Sequence, residues 1–211
     1  MTRSLLTAIM LLLLTSPSAG HQGIGMSMGF LQPSLSSYNM LLDSLGAERF
    51  GQSRLLQSTI YYDISVKIRL VLGAGQWIYD LPFSQPLSQR MPYERWTVQL
   101  VPITVSVEKR FTLPASIVKP FIGIGAGCCL IREKIYIPQK EIAAENTSTF
   151  MFQLYIGSEI ELTENLALQA GYRRQFGKYQ VIFGENAAEE VDVSIGGSTV
   201  YFGFNFSLVQ K

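Results

Sequence analysis

The final segment of the chain, residues 198–208, alternates between large apolar side chains and side chains that are mostly small or polar. The apolar positions are Val200, Phe202, Phe204, Phe206 and Leu208. Because successive side chains on a strand point to opposite faces, this pattern predicts a strand with one apolar face. A chain that ends on a strand must pair that strand or leave an open edge. We therefore predict that the last strand pairs with the first and closes a barrel.

Seven earlier segments repeat the period of two, and almost all of them place Gly, Ser, Gln, Glu or Arg opposite the apolar face. These segments are 23–30, 60–66, 68–77, 94–110, 120–130, 149–162 and 166–176. The pattern predicts an all-β fold, a closed antiparallel up-and-down barrel of about eight strands. A face of such polarity would be a poor core for a soluble protein, so we expect the apolar faces to point outward into lipid.

The connections between these segments alternate in length. Long ones are expected at 33–56, 80–92, 136–148 and 184–190, and short ones at 65–67, 112–119 and 163–165. This asymmetry is typical of the two ends of an outer-membrane barrel. In the first long loop the period becomes helical, since Leu41, Leu42 and Leu45 share a face between the cap residues Ser36 or Ser37 and Gly46. We predict a short amphipathic helix there.

Two further features of the pattern carry local predictions. On the fourth strand the apolar residues change face at Pro102, because Val98 and Leu100 share one parity and Val105 and Val107 the other. We predict a β-bulge at Pro102, where proline is tolerated in a sheet. Aromatic residues near the strand ends predict girdles at the membrane interfaces. They are Tyr61, Tyr62, Trp77, Trp96, Phe111, Phe121, Phe150 and Tyr172.

The N-terminus has the three parts of a secretory signal peptide. Arg3 supplies the basic region, Leu5–Leu14 the apolar region and Thr15–Gly20 the small-residue region. The apolar run is too short for a spanning helix, which disfavours an uncleaved anchor. We expect a signal peptide over residues 1–20, cleaved after Gly20, and an outer-membrane β-barrel domain over residues 21–211.

Charge and cysteine content exclude several classes. The chain has 17 basic and 16 acidic residues without a basic stripe, so nucleic acid is not an expected partner. Cys128 and Cys129 are neighbours on a predicted strand and point to opposite faces, which makes a disulfide between them strained. Their spacing does not suit a metal, and we expect no cofactor.

Seven charged residues fall on faces that we expect to line the barrel lumen. They are Asp63, Arg69, Glu108, Arg110, Glu159, Glu161 and Arg173. Unpaired charges in a narrow lumen are costly, so mutual pairing is expected. They could form a selectivity element for small solutes, or they could pack the lumen and hold the barrel shut. We favour the packing role.

Three stretches resemble the small outer-membrane barrels of the OmpW and opacity-porin-like group. They are the segments 100–107, LVPITVSV, and 119–127, KPFIGIGAG, and the strand–turn–strand of residues 159–173. Tyr201, Gly203, Phe206 and Leu208 resemble the C-terminal signal of such proteins. The tail Val209–Lys211 departs from it, since many of those chains end on the aromatic residue. The resemblance implies outer-membrane lipid and the barrel-assembly machinery as partners.

The candidate chemistry for catalysis is sparse. Enzymes on this scaffold use a His base or its equivalent, and the single histidine, His21, lies at the expected mature N-terminus, outside any predicted strand. We expect a non-catalytic outer-membrane barrel of a Gram-negative-type envelope, with a structural or surface-loop role. The alternatives are a narrow OmpW-like channel for small or hydrophobic solutes, and a soluble exported ligand-binding barrel. The sequence leaves the oligomeric state open.

Overall fold

A computed structural model describes residues 22–33, 39–40, 53–82, 95–114, 116–137, 140–183 and 189–208. The strands are β1 Gln22–Pro33, β2 Ser53–Ser65, β3 Ile68–Pro82, β4 Arg95–Arg110, β5 Val118–Ile137, β6 Lys140–Glu161, β7 Leu166–Phe183, β8 Glu189–Ser194 and β9 Gly197–Leu208. All strand pairs are antiparallel. Within the part of the chain that the structure describes, no helix is both long and apolar enough to cross a membrane.

The strands form one closed barrel. Each of β1 to β7 pairs with its neighbour in sequence, and β8 and β9 both pair with β7. These two segments keep a single register along β7, since Lys178 pairs with Ser194 and Gln175 with Gly197. At the break between them, the Ile195 amide still donates to the Gly177 carbonyl at 3.0 Å. We therefore count β8 and β9 as one strand, which confirms an up-and-down barrel of eight strands.

The last strand closes the barrel against the first. β9 pairs with β1 along its whole length, from Gln22 opposite Leu208 to Pro33 opposite Gly197. The predicted closing pair is thus confirmed. A closed sheet has no free edge, so all of its strands satisfy their backbone hydrogen bonds within the barrel.

The register fixes the width of the barrel. Following paired residues from Gln32 on β1 once around the barrel leads back to Gln22 on the same strand, a displacement of ten residues. For eight strands this shear corresponds to a tilt of roughly 40° and an interior that side chains can fill. The lumen is therefore too narrow to stay open unless its lining residues are small.

From the short turns to the middle of the barrel wall, the large apolar side chains point outward, as expected. Those at least two-fifths exposed include Met28, Val105, Ile124, Leu154 and Phe204. Polar residues of the same strands are buried inside, among them Ser27, Thr104 and Gln153. This is the opposite of a soluble barrel, in which the apolar face is inside.

The predicted bulge at Pro102 is wrong. β4 pairs with β5 in one register from Arg95 opposite Tyr136 to Arg110 opposite Phe121. The even-numbered residues of β4 point inward from Val98 to Arg110. What changes near Pro102 is which face of the strand carries the apolar side chains. Register shifts occur instead between Asp63 and Ser65 on β2 and between Glu133 and Ile135 on β5.

Three other expectations need correction or lie outside the described residues. Tyr61, Trp77 and Phe121 are buried inside the barrel and belong to no outer girdle. Residues 136–148, expected as a loop, are mostly a hairpin in which Ile137 pairs with Lys140. Of the predicted helix, Asn39 and Met40 are helical, and its other residues lie outside the described part, as does the expected signal peptide.

Candidate functional site

The lumen holds three layers of side chains, and the layer nearest the short turns is charged. Arg69 on β3 donates from Nε to Asp63 Oδ1 at 2.6 Å and from Nη2 to Asp63 Oδ2 at 3.2 Å. Its Nη1 also donates to Glu159 Oε2 at 3.0 Å. Neighbouring strands β2 and β3 bring Asp63 and Arg69 together directly, since these residues are register partners.

Glu159 on β6 is the centre of this layer. Its carboxylate accepts hydrogen bonds from Arg69 and from Arg110 Nη2, and its Oε2 also accepts from Asn205 Nδ2 at 2.7 Å. Its side chain is 5% exposed. A buried carboxylate needs such partners, because charge-assisted hydrogen bonds offset the loss of its hydration. Residues from four strands, β3, β4, β6 and β9, therefore meet at one carboxylate.

Glu108 completes the charged layer, and the Tyr61 ring packs against it. Arg69 lies over the Tyr61 ring, with its guanidinium carbon 3.8 Å from the ring centre. Glu108 is buried on β4, where it is the register partner of Arg69 and lies two residues from Arg110. We name Asp63, Arg69, Glu108, Arg110 and Glu159 the charged layer.

A polar layer lies above it, around Arg173 on β7. Arg173 donates to Gln57 Oε1 and lies 4.8 Å from the centre of the Tyr201 ring and 5.3 Å from that of Tyr155. Gln153 spans the neighbouring space, donating to Ser106 Oγ at 2.8 Å. Side chains from opposite walls thus meet across the lumen.

The third layer, toward the long loops, is apolar. Its buried residues, the apolar layer, are Leu31, Leu55, Trp77, Tyr79, Val98, Leu100, Cys129, Ile131, Met151, Tyr179, Val193 and Ile195. At its upper side Tyr179 donates its hydroxyl to Glu133. The assumption that apolar residues point outward does not predict this layer, although the sequence contains a signal for it: Val98 and Leu100 share the parity of the inward residues Thr104 and Ser106.

The outer face of the barrel changes from apolar to polar near the level of the apolar layer. On each barrel strand, moving toward the long loops, an apolar outward residue is followed on the same face by a polar one. The successive pairs are Phe30 and Gln32, Leu56 and Arg54, Ile78 and Asp80, Val101 and Gln99, Leu130 and Arg132, Phe150 and Ser148, Phe176 and Lys178, and Val200 and Ser198. We call this ring of positions the boundary ring. At the boundary ring, where the structure describes the side chains, the residues inside the barrel are mostly apolar and the residues outside are polar.

The open space in the lumen lies at the short-turn end. A cavity of about 570 Å³ is lined by Tyr61, Arg69, Lys119, Glu161 and others of the mouth. Around the polar layer only about 20 Å³ is free. Among the described residues, then, the cavity ends at the charged and polar layers and does not continue through the barrel.

The predicted lumen residues are not all in one cluster. Five of the seven form the charged layer, whereas Glu161 pairs with Lys119 at the exposed mouth and Arg173 belongs to the polar layer. Ion pairs and hydrogen bonds join the members to one another, which is the arrangement of a packed interior. Within the described part of the chain, no group of His, Cys, Asp and Glu side chains is placed to hold a metal ion.

The four predicted assembly residues occupy both faces of β9. Tyr201 and Gly203 are buried in the lumen, and Phe206 and Leu208 point outward with 52% and 55% exposure. Cys128 and Cys129 are free thiols, the first exposed and the second buried. Their opposite orientations agree with the expectation that they form no disulfide.

No protein-family model matches the chain, and no curated protein matches it in sequence. Solved structures do match, and outer-membrane β-barrels whose fold this chain shares are among them. The outer membrane protein OprG from Pseudomonas aeruginosa matches with a TM-score of 0.63 and 14% identity, over 91% of this chain and 97% of that one.

Two other outer-membrane structures are similar at the level of the fold. Neisserial surface protein A (NspA) matches with a TM-score of 0.55 and 15% identity, covering 90% of this chain and 98% of that chain. A major outer membrane protein from Thermus thermophilus matches with a TM-score of 0.55 and 10% identity, covering 89% and 99%.

Proposed function

We propose that this protein is an integral, non-catalytic outer-membrane β-barrel whose lumen is packed shut and whose surface loops carry its interactions. The observation that carries the proposal is the apolar outer wall that ends at the boundary ring. Lipid requires apolar side chains outside, and water requires polar ones. A wall that changes from one to the other at one level on every strand fits a barrel that emerges from a bilayer there.

The outer wall argues against the soluble alternative. Met26, Ile124, Phe202 and Phe206 would all be about half exposed to water in a soluble barrel. Monomeric soluble proteins rarely expose a continuous apolar belt of this kind. A bilayer covers it, and the proposed signal peptide over residues 1–20 would direct the chain to the envelope.

The filled lumen argues against the channel alternative. The charged side chains of the charged layer form ion pairs with one another. The side chains of the apolar layer offer permeating ions almost no polar groups to replace their hydration. Side chains that fill the interior are the usual condition of eight-stranded barrels. The charged layer would then hold strands together, and the loops beyond the boundary ring would be the surface for partners.

Paired lysine substitutions on one face of β4 test the membrane assignment. Val105 lies outward in the middle of the apolar belt, whereas Gln99 lies on the same face and is the polar residue of the boundary ring on β4. A lysine at the bilayer midplane costs about 2–4 kcal/mol and little near the interface. We expect Val105→Lys to lower the yield of folded, membrane-fractionated protein and Gln99→Lys to leave it unchanged. Fractionation with gel mobility before and after boiling measures both.

A soluble barrel gives the reverse result. Wild-type protein would then appear in the soluble periplasmic fraction without a heat-dependent shift in mobility, and Val105→Lys would fold at least as well as wild type. That outcome would refute the membrane assignment.

A further inference from the structure

Arg174 on β7 is a cation on the outer wall, immediately next to apolar residues. Tyr172 and Phe176 flank it on the same face, with 44% and 45% exposure, and its register partner on β6 is the outward-facing Leu154. A charged side chain in this position is costly in lipid unless it reaches polar groups. Its partner on β9 is Ser198, a residue of the boundary ring.

Arg174 and Ser198 keep hydrogen-bond donors that their contacts with each other and with Tyr172 do not use. Its Nη1 donates to Ser198 Oγ at 2.6 Å, and the Tyr172 hydroxyl donates to the same oxygen at 2.7 Å. Ser198 therefore accepts twice, and its own hydrogen remains to donate. The guanidinium carries further N–H groups, so this site consists mainly of donors.

Two further exposed cations lie on the outer wall near this level. Lys178 is exposed on the same face of β7, and Arg54 is exposed on β2, where Phe30 lies between it and Val200 of β9 in the register. None of the ion pairs of the described residues includes Arg174, Lys178 or Arg54. By contrast Arg95, further along the wall, pairs with Asp80 at 2.7 Å.

We propose that Arg174, Ser198 and Lys178 bind the phosphate of an anionic membrane lipid in the leaflet at the long-loop end. The inference rests on the proposed membrane-spanning role. A phosphate is an acceptor-only group, and a guanidinium binds it with two parallel hydrogen bonds. Acyl chains of the same lipid would lie along the apolar wall below, where Val200, Phe202 and Leu154 are exposed. Basic residues at a membrane surface attract anionic lipids in this way.

Thermal unfolding of the purified full-length protein in neutral detergent micelles tests the site. Phosphatidylglycerol is added in one series, phosphatidylcholine in a second and inorganic phosphate in a third. The fraction folded is measured by gel mobility. We expect phosphatidylglycerol alone to raise the midpoint, by about 2–5 °C, because a ligand that binds only the folded state stabilises it.

The variants assign the effect to this site. Arg174→Gln and Lys178→Gln should each lose most of the rise, and Arg174→Lys should keep part of it. Lys109→Gln, which removes an exposed outward cation on β4 near the short turns, should keep all of it. An equal rise with phosphatidylcholine, an equal rise with inorganic phosphate, or an equal loss in Lys109→Gln would overturn the lipid site.

The same samples separate this inference from the proposed function. Incorporation of wild-type protein into phosphatidylcholine vesicles, with a heat-dependent gel shift, tests the membrane barrel by itself. If the protein incorporates but shows no preference for phosphatidylglycerol, the lipid site fails and the membrane barrel stands. If it incorporates into no vesicle, the proposed function fails.

Discussion

At the scale of single residues, Glu159 joins the most elements of any side chain in the charged layer. It accepts from Arg69, Arg110 and Asn205, which come from three other strands. Removing one partner of a buried charge pair leaves the other charges uncompensated, and this costs more than the pair itself contributes. Asp63 supplies a second carboxylate to Arg69 at 2.6 Å and to Arg110 at 3.8 Å, so part of the layer would survive.

Glu159→Gln should therefore destabilise the folded barrel by about 3 kcal/mol, since the amide keeps the shape of the side chain and loses its charge. The measurement is urea unfolding in lipid vesicles, followed by gel mobility. Glu161→Gln is the matched control, two residues away on the same strand. Its ion pair with Lys119 is exposed, with Glu161 at 47%, so about 0.5 kcal/mol is expected.

Equal effects of the two substitutions would contradict this account of the charged layer. A more stable Glu159→Gln barrel would contradict it more strongly, because the buried carboxylate would then destabilise the folded barrel.

The inward positions of the charged residues were predictable, and their partners were not. Strand parity places Arg69, Glu159 and Arg173 on inner faces. Parity does not give height along the barrel, which depends on register and shear. For this reason Arg173, predicted together with Glu159, lies one layer away among Tyr155, Tyr201 and Gln57.

At the scale of elements, the seam between β1 and β9 depends on a close approach at Gly203. A Cβ at this position would meet the Met26 carbonyl oxygen and would lie 2.7 Å from Ser27 Cα. These are backbone atoms of the paired strand and cannot move without disturbing the ladder. The Gly in the predicted assembly signal thus has a structural reason to be Gly, whether or not the assembly machinery also recognises it.

Gly203→Ala should reduce the amount of assembled barrel several-fold, and Gly203→Asp should reduce it further. Gly177→Ala is the control, since a Cβ there meets chiefly the flexible end of Ile195, at 3.0 and 3.2 Å. Quantification of the heat-modifiable form in membrane fractions measures all three. Normal assembly of Gly203→Ala would show that the seam tolerates a methyl group and that the contact is not limiting.

The strands and the barrel class were predictable because alternation marks each strand wherever inside and outside differ in polarity. The error at Pro102 has a physical cause. Alternation was interpreted as if apolar always meant outward, so the reversal of inside and outside chemistry was taken for a reversal of the strand. Val98 and Leu100 keep the same inward parity as Thr104 and Ser106. For the same reason the alternation predicts a loop over residues 136–148, where β5 and β6 form the end of a hairpin.

At the scale of the whole molecule, two different barriers close the lumen in series. The charged layer would open if its ion pairs were broken, whereas the apolar layer would remain closed, because Trp77, Leu100 and Met151 are almost completely buried against one another and their neighbours. A packed apolar interior has few voids as large as a water molecule.

We expect liposomes that contain the wild-type barrel to show no flux of small solutes, and we expect Arg69→Ala and Glu159→Ala to leave this result unchanged. The physical reason is that the apolar layer remains intact in both variants. Swelling assays with small sugars and ion-flux assays measure the result. Flux through wild type, or flux that appears only in Glu159→Ala, would instead favour the channel interpretation.

The pairing of β1 with β9 also has a consequence for the order of synthesis. Ribosomes make residues 22–33 well before their partners, residues 197–208. Until then β1 can pair with β2 only, and its other edge stays open to other chains. Closure must therefore wait until β9 has been made, and loss of β9 would leave two open edges, one on β1 and one on the part of β7 from Leu166 to Gln175.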